Sequence, residues 1–144
     1  GICLMHKQGN PDTMQQQPSY HSVVDEVGGY LARRVQVCLD AGIDRARLLA
    51  DPGFGFGKTL EHNLALLRSL PQLEQEAGVP LLVGLSRKSM LGAITGESRA
   101  DQRLGASIAA ALLSAQQGAS VIRVHDVNAT VQALQVLRAV QEVR

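Results

Sequence analysis

Tryptophan is absent, and aromatic residues make up only 3% of the 144-residue chain, two Phe and two Tyr. A core built from it must therefore be aliphatic, and abundant Ala, Leu and Val suit helices packed on a buried parallel sheet. Charge of one sign is also lacking. The formal net charge is +1, so nothing global favours nucleic acid or an anionic membrane as partner, and any anion must be held by a few placed cations. No apolar run approaches the ~18 residues of a membrane span, and the start, Gly1 to Met5 followed by His6-Lys7-Gln8, does not read as a signal peptide. Cys3 and Cys38 lack metal-ligand spacing and read as two thiols in a reducing compartment, with the cytoplasm as the expected location. No long disordered tract is expected either: 45% hydrophobic and 19% charged residues are a globular composition.

What the chain does have is alternation. Four short apolar runs, Ile2–Met5, Leu48–Ala50, Leu81–Val83 and Ser120–Val124, are each closed by polar or Gly-rich residues and read as buried parallel strands. Helical patterns lie between them. Val23, Val27, Tyr30, Leu31, Val35, Cys38 and Leu39 form one stripe over 23–39, stopped at Asp40-Ala41-Gly42. Thr59 is a good N-cap, with His62 at N3, for a helix carrying Leu60, Leu64, Leu67 and Leu70. Further helices are expected over 101–117 and 128–140. The order βαβαβαβα predicts an α/β domain over 1–144 with parallel strands and right-handed crossovers. An open doubly wound sheet and part of a TIM (β/α)8 barrel both fit that order. The chain opens directly on an apolar run without an initiator Met, as a segment of a longer protein would.

The chemistry-bearing residues follow the strands: His6 to Asn10 after the first, Asp51 to Lys58 after the second, Gly84 to Ser89 after the third, and Arg123 to Asp126 at the fourth. All four junctions fall at one end of a parallel sheet, where such folds place their sites. Asp51, at a strand end, can accept two hydrogen bonds from a guanidine-like N–H/NH2 edge, or else serve as a turn residue beside Pro52. Phe54 and Phe56 sit within a Gly-rich loop, where stacking of at least one of them on a ligand ring is expected. That loop is not a phosphate loop: Gly57-Lys58-Thr59 has Pro52 where the pattern needs Gly. Ser86-Arg87-Lys88-Ser89 brings two cations and two hydroxyls to a helix start, a site contact or a solvated surface. Arg123 and His125 alternate with Val124 and so share one side of the last strand, as an anion clamp would. The alternative is an ion pair of Arg123 with Asp126, a residue that could instead cap the last helix. His6, His21 and His62 form no metal-ligand spacing, and no G-x-S-x-G motif supports hydrolase chemistry.

Together, Leu4-Met5-His6-x-Gln8-Gly9-Asn10-Pro11, Asp51-Pro52-Gly53-Phe54-Gly55-Phe56-Gly57-Lys58, Gly84-x-Ser86-Arg87-Lys88-Ser89 and Arg123-Val124-His125-Asp126 resemble the dihydropteroate synthase family over essentially the whole chain. The resemblance implies a TIM barrel of which this chain holds four consecutive βα units, strands 5–8. It implies a transferase of folate biosynthesis that condenses 6-hydroxymethyl-7,8-dihydropterin pyrophosphate with p-aminobenzoate, releasing pyrophosphate, with sulfonamides competing for the p-aminobenzoate site. Substrate-binding residues would be Met5, Asp51, Phe56, Gly84, Ser86, Lys88, Arg123 and His125. Asp51 would take the pterin edge between walls from Met5 and Gly84. Lys88 would contact the pterin, Ser86 and Phe56 would line the p-aminobenzoate pocket, and Arg123 and His125 would hold pyrophosphate. Lys88, Arg123 and His125 are the catalytic candidates. Mg2+ would assist, with its family ligand lying before the first strand here, and a homodimer or other self-association is implied. A pterin-binding methyltransferase of the same superfamily is a weaker match, because Ser86–Ser89 and Arg123–Asp126 argue against it. A non-catalytic half-barrel is the third alternative. Half a barrel has open edges and an uncovered face, so the chain alone is expected to be inactive.

Overall fold

The computed structural model of the protein describes residues 1–9 and 18–143. The motif positions Asn10 and Pro11 lie outside them. Strand β1 is Ile2–Met5, followed by helix α1 (Val23–Asp40), β2 (Leu48–Asp51), α2 (Leu60–Arg68) and α3 (Leu70–Ala77). Then come β3 (Leu82–Val83), α4 (Ser89–Thr95), α5 (Leu104–Gln116), β4 (Val121–Ile122) and α6 (Val127–Glu142), with short 3-10 turns at Arg45–Arg47 and Ala100–Gln102.

The strands lie side by side in chain order, all parallel. Met5 is in register with Asp51 and Leu4 with Ala50. Ala50 bridges to Leu81, and Leu82 and Val83 pair with Val121 and Ile122. Four parallel strands in unreversed order fit a stretch of a barrel wall.

Because side chains alternate across a sheet, this register sorts residues into two faces. Leu48, Ala50, Leu81 and Val83 point to the helices and are at most 2% exposed. Val27 and Leu31 of α1 and Leu70 and Leu73 of α3 meet them in one cluster, each fully buried. Each buried Leu or Val among them contributes about 2 kcal/mol by leaving water. The opposite face carries Cys3, which is exposed, and Leu49 and Leu82, which are half-buried. At the C-terminal end of this second face the register brings Met5 and Asp51 level, and the alternation continues through Gly84 and Arg123.

Helix ends follow their sequence signals. Ser22 caps α1 by accepting from Asp25 N–H, and Gly42 takes φ 81° just past its end. Thr59 and His62 form a reciprocal capping box at the start of α2. Three expectations need correction. The leucine run 60–70 is not one helix: Ser69 ends α2 and Pro71, in the first turn of α3, restarts the chain because its missing N–H is harmless there. Within α2, Leu66 is buried and Leu64 is exposed. The helix expected from residue 101 begins at Leu104, after the 3-10 turn Ala100–Gln102. The fourth strand is only Val121–Ile122, so Arg123 to His125 lie beyond it, although Arg123 N–H still donates to Val83 O (2.9 Å).

Candidate functional site

Asp51 is the centre of the C-terminal end. Its side chain is almost wholly buried, and Gly53 N–H donates to Oδ1 at 2.7 Å. Burial pushes its pKa up, while the Gly53 N–H and then Lys88, Arg123 and Lys58 pull it down. Oδ2 faces Arg123 NH2 at 3.9 Å. The ion-pair partner of Arg123 is thus Asp51, not Asp126.

The Gly-rich loop after β2 is anchored from beneath. Lys58, 4% exposed, donates to Gly53 O (2.9 Å) and Phe56 O (3.0 Å), and its Nζ lies 3.0 Å from His6 Nδ1. An ammonium has three donors and no acceptor, so His6 Nδ1 must accept and the ring must be neutral. Its surroundings agree: burial, then the Lys58 charge, lower the His6 pKa to about 4, against a smaller upward pull from Glu26. Burial likewise lowers Lys58 to about 8. Asn63 completes the anchor, accepting from Gly55 N–H (2.8 Å) and donating to Thr59 O (2.7 Å).

Gly53 has φ 71°, and a Cβ there would overlap the His6 carbonyl, so the β1 and β2 loops touch where no side chain fits. Gly53→Ala is expected to lower stability by about 2 kcal/mol or more, through strain and collision together. A urea midpoint equal to that of the parent protein would contradict this.

The two phenylalanines part company. Phe54 is fully buried in the core, which leaves Phe56 as the ring available for stacking. Phe56 is half-buried, with Lys88 Nζ 4.8 Å from its ring centroid. Lys88 Nζ also donates to Phe54 O. Burial lowers the Lys88 pKa, with Asp51 opposing and Arg123 assisting.

A cavity of about 140 Å³ is lined by Gly84, Ser86, Lys88, Arg123, Val124 and His125. Arg123 can lie against the β3 end because Gly84 has no side chain: a Cβ there would stand 2.8 Å from Arg123 NH2. Ser86 Oγ accepts from His125 N–H (3.2 Å) and meets His125 Nδ1 at 3.0 Å. Seven of the expected residues therefore converge on Asp51, Lys88 or this cavity, and Met5 lies beside Asp51 by strand register. Asp126 does precede α6, but its side chain makes no cap bond and is held by Arg87. Lys58, His6 and Arg87 stood within the junction motifs without an individual role assigned to them, and Asn63 carried no sequence signal.

Among the described residues no three His, Cys, Asp or Glu converge as a metal ion would need. Asp51 and Asp126, two carboxylates at this end, are engaged by Gly53 N–H and Arg87. These residues do not by themselves compose a Mg2+ site. No helix among them is long and apolar enough to cross a membrane.

Comparison with known proteins gives the family. The family model for pterin binding enzymes matches residues 1–125. The dihydropteroate synthase of Neisseria meningitidis serogroup B is 55% identical over 141 residues, 96% of this chain and 50% of that protein. The solved structure of Xanthomonas albilineans dihydropteroate synthase in complex with 7,8-dihydropteroate superposes with a TM-score of 0.90 at 50% identity, covering 99% of this chain and 51% of that one. The same enzyme with 4-aminobenzoic acid gives 0.90 at 50% identity, over 99% and 50%. The chain thus spans about half the length of the curated relatives it matches, and it belongs to the pterin binding enzyme family, resembling dihydropteroate synthases over that half.

Proposed function

We propose that this chain supplies strands 5–8 of a dihydropteroate synthase barrel, as one continuous unit over 1–144. The observation that carries the reading is Asp51: a buried carboxylate with acceptor capacity to spare, level with Met5 and ringed by Lys58, Lys88 and Arg123. A pterin offers the complementary N–H/NH2 edge, and two such charge-assisted bonds are strong in a dry site. The pterin lies between Met5 and Gly84. The p-aminobenzoate lies by Phe56, Ser86 and Lys88.

The reaction needs ionisation of a leaving group more than a strong base. The arylamine lone pair attacks the pterin CH2 carbon, the C–O bond to pyrophosphate breaks with its electron pair, and the amine nitrogen then releases a proton to solvent. Arg123, 60% exposed, and His125 meet the departing pyrophosphate, so positive charge stands where negative charge develops. Lys88 stabilises the same end of the site. Mg2+, when bound, adds charge neutralisation at the pyrophosphate, with ligands outside the residues described. The uncovered sheet face at Cys3, Leu49 and Leu82 calls for the rest of a barrel, and these 144 residues alone are not expected to turn over. Self-association as a homodimer and a reducing, cytoplasmic setting belong to the same reading.

The test is pyrophosphate release by the protein that carries this chain, given the pterin pyrophosphate and p-aminobenzoate. Release that depends on both substrates is expected. Methyl transfer to a corrinoid in its place would overturn the reading.

A further inference from the structure

Arg87 is the one non-glycine residue among those described with a positive φ, 60°. It occupies the third position of a tight turn closed by Lys88 N–H to Leu85 O (3.2 Å), where glycine is the residue of low cost. An arginine there needs a reason. Its guanidinium supplies one, forking onto Asp126 with Nε to Oδ2 at 3.1 Å and NH2 to Oδ1 at 2.7 Å. Its backbone is fixed on both sides: Arg87 N–H donates to the buried Ser107 Oγ (2.9 Å), and Arg103 NH1 donates to Arg87 O (2.9 Å). Asp126 is equally unusual, because it begins α6 without using its carboxylate as a cap. Each residue forgoes the ordinary option of its position in favour of the other.

The pair also sits between two parts of the site. Arg87 separates Ser86 from Lys88, and Asp126 directly follows His125. We propose that Arg87 is a positioning residue, whose fork on Asp126 fixes the spacing between the β3–α4 loop and the β4–α6 loop. It thereby sets the Ser86–His125 hydrogen bond and the width of the cavity between Lys88 and Arg123. The spacing is a property of the fold; its effect on rate rests on the function proposed above.

The discriminating variant is Arg87→Gly, since the turn itself accepts glycine. In the protein that carries this chain, its unfolding midpoint should stay close to the parent value. The His125 ring signals in nitrogen–proton correlation spectra should move to those of a Ser86→Ala variant. The kcat for pyrophosphate release should fall about tenfold or more through misplacement. Asp126→Asn should reproduce both losses, the double variant should add little to either single one, and Arg87→Lys, keeping charge without the fork, should only partly restore them. His125 signals unmoved in Arg87→Gly, or fully additive losses in the double variant, would overturn the proposal. Should Arg87→Gly fail to fold, Asp126→Asn and Arg87→Lys carry the same readouts. If the parent protein releases no pyrophosphate, the function reading fails, and the His125 signals still decide the coupling.

Discussion

Asp51→Ala is expected to weaken pterin binding by roughly a hundredfold, the equivalent of about 3 kcal/mol for losing charge-assisted hydrogen bonds at a buried site. Asp51 is 3% exposed, so little water stands ready to replace it. The loss has a second part. Without the carboxylate, Lys58, Lys88 and Arg123 face one another with no buried anion between them, and Gly53 N–H loses its acceptor. Asp51→Asn separates the two parts: it keeps the shape and an acceptor for Gly53 but presents an amide N–H toward a donor edge. It should bind pterin nearly as poorly as Asp51→Ala while folding better. The pH dependence has a definite sign. Burial raises the Asp51 pKa, and only the ionised form accepts both bonds, so affinity should fall on acidification at a pH above the usual aspartate range. Calorimetric titration of pterin against pH, with the parent protein and both variants, checks all three points. Pterin affinity unchanged in Asp51→Asn would remove Asp51 from the site.

The ease with which Asp51 was found, and Lys58 and Arg87 were not, follows from what a sequence pattern records. Strand ends can be read from hydrophobic runs, and polar residues just after them inherit a place on one face. Asp51, Ser86, Lys88, Arg123 and His125 were legible for that reason. Their partners were not, because partnership depends on register. Arg123 faces Asp51 only because β2, β3 and β4 lie level enough to bring their ends together, and Arg87 reaches Asp126 across 39 positions of sequence. Phe54 was not legible in that way: a loop residue by pattern, it is fully buried within the hydrophobic cluster, and Phe56 is the ring left half-buried. The leucine run at 60–70 misled similarly: spacing alone favoured one helix, and Pro71 decided for two.

Lys58→Met should be the more damaging change for stability, although Lys58 touches no proposed substrate atom. Its ammonium closes three bonds at once, to Gly53 O, Phe56 O and His6 Nδ1. Methionine fills similar space and offers none of them, leaving polar atoms without partners in a site that water barely reaches. The cost is about 3 kcal/mol, taken from typical penalties for unsatisfied buried groups and reduced by no longer burying a charge. The Gly-rich loop would loosen, carrying Phe56 with it, so pterin and p-aminobenzoate affinities should both decline. His6 offers an independent readout. Its pKa of about 4 is set first by burial and second by Lys58, so removing the charge should raise the value without restoring an ordinary histidine. The linkage follows. In the parent protein the folded His6 pKa lies below its usual 6.5, so its contribution is complete above pH 6.5 and is lost as pH falls toward 4. In Lys58→Met that acid-dependent loss should shrink, even though the protein is weaker at neutral pH. Proton spectra of His6 across pH 3 to 8, beside urea unfolding at each pH, measure both effects. A His6 midpoint that stays near 4 in Lys58→Met would show that the ammonium adds nothing to what burial does to this ring, and a urea midpoint equal to the parent's would overturn the anchoring of the loop by Lys58.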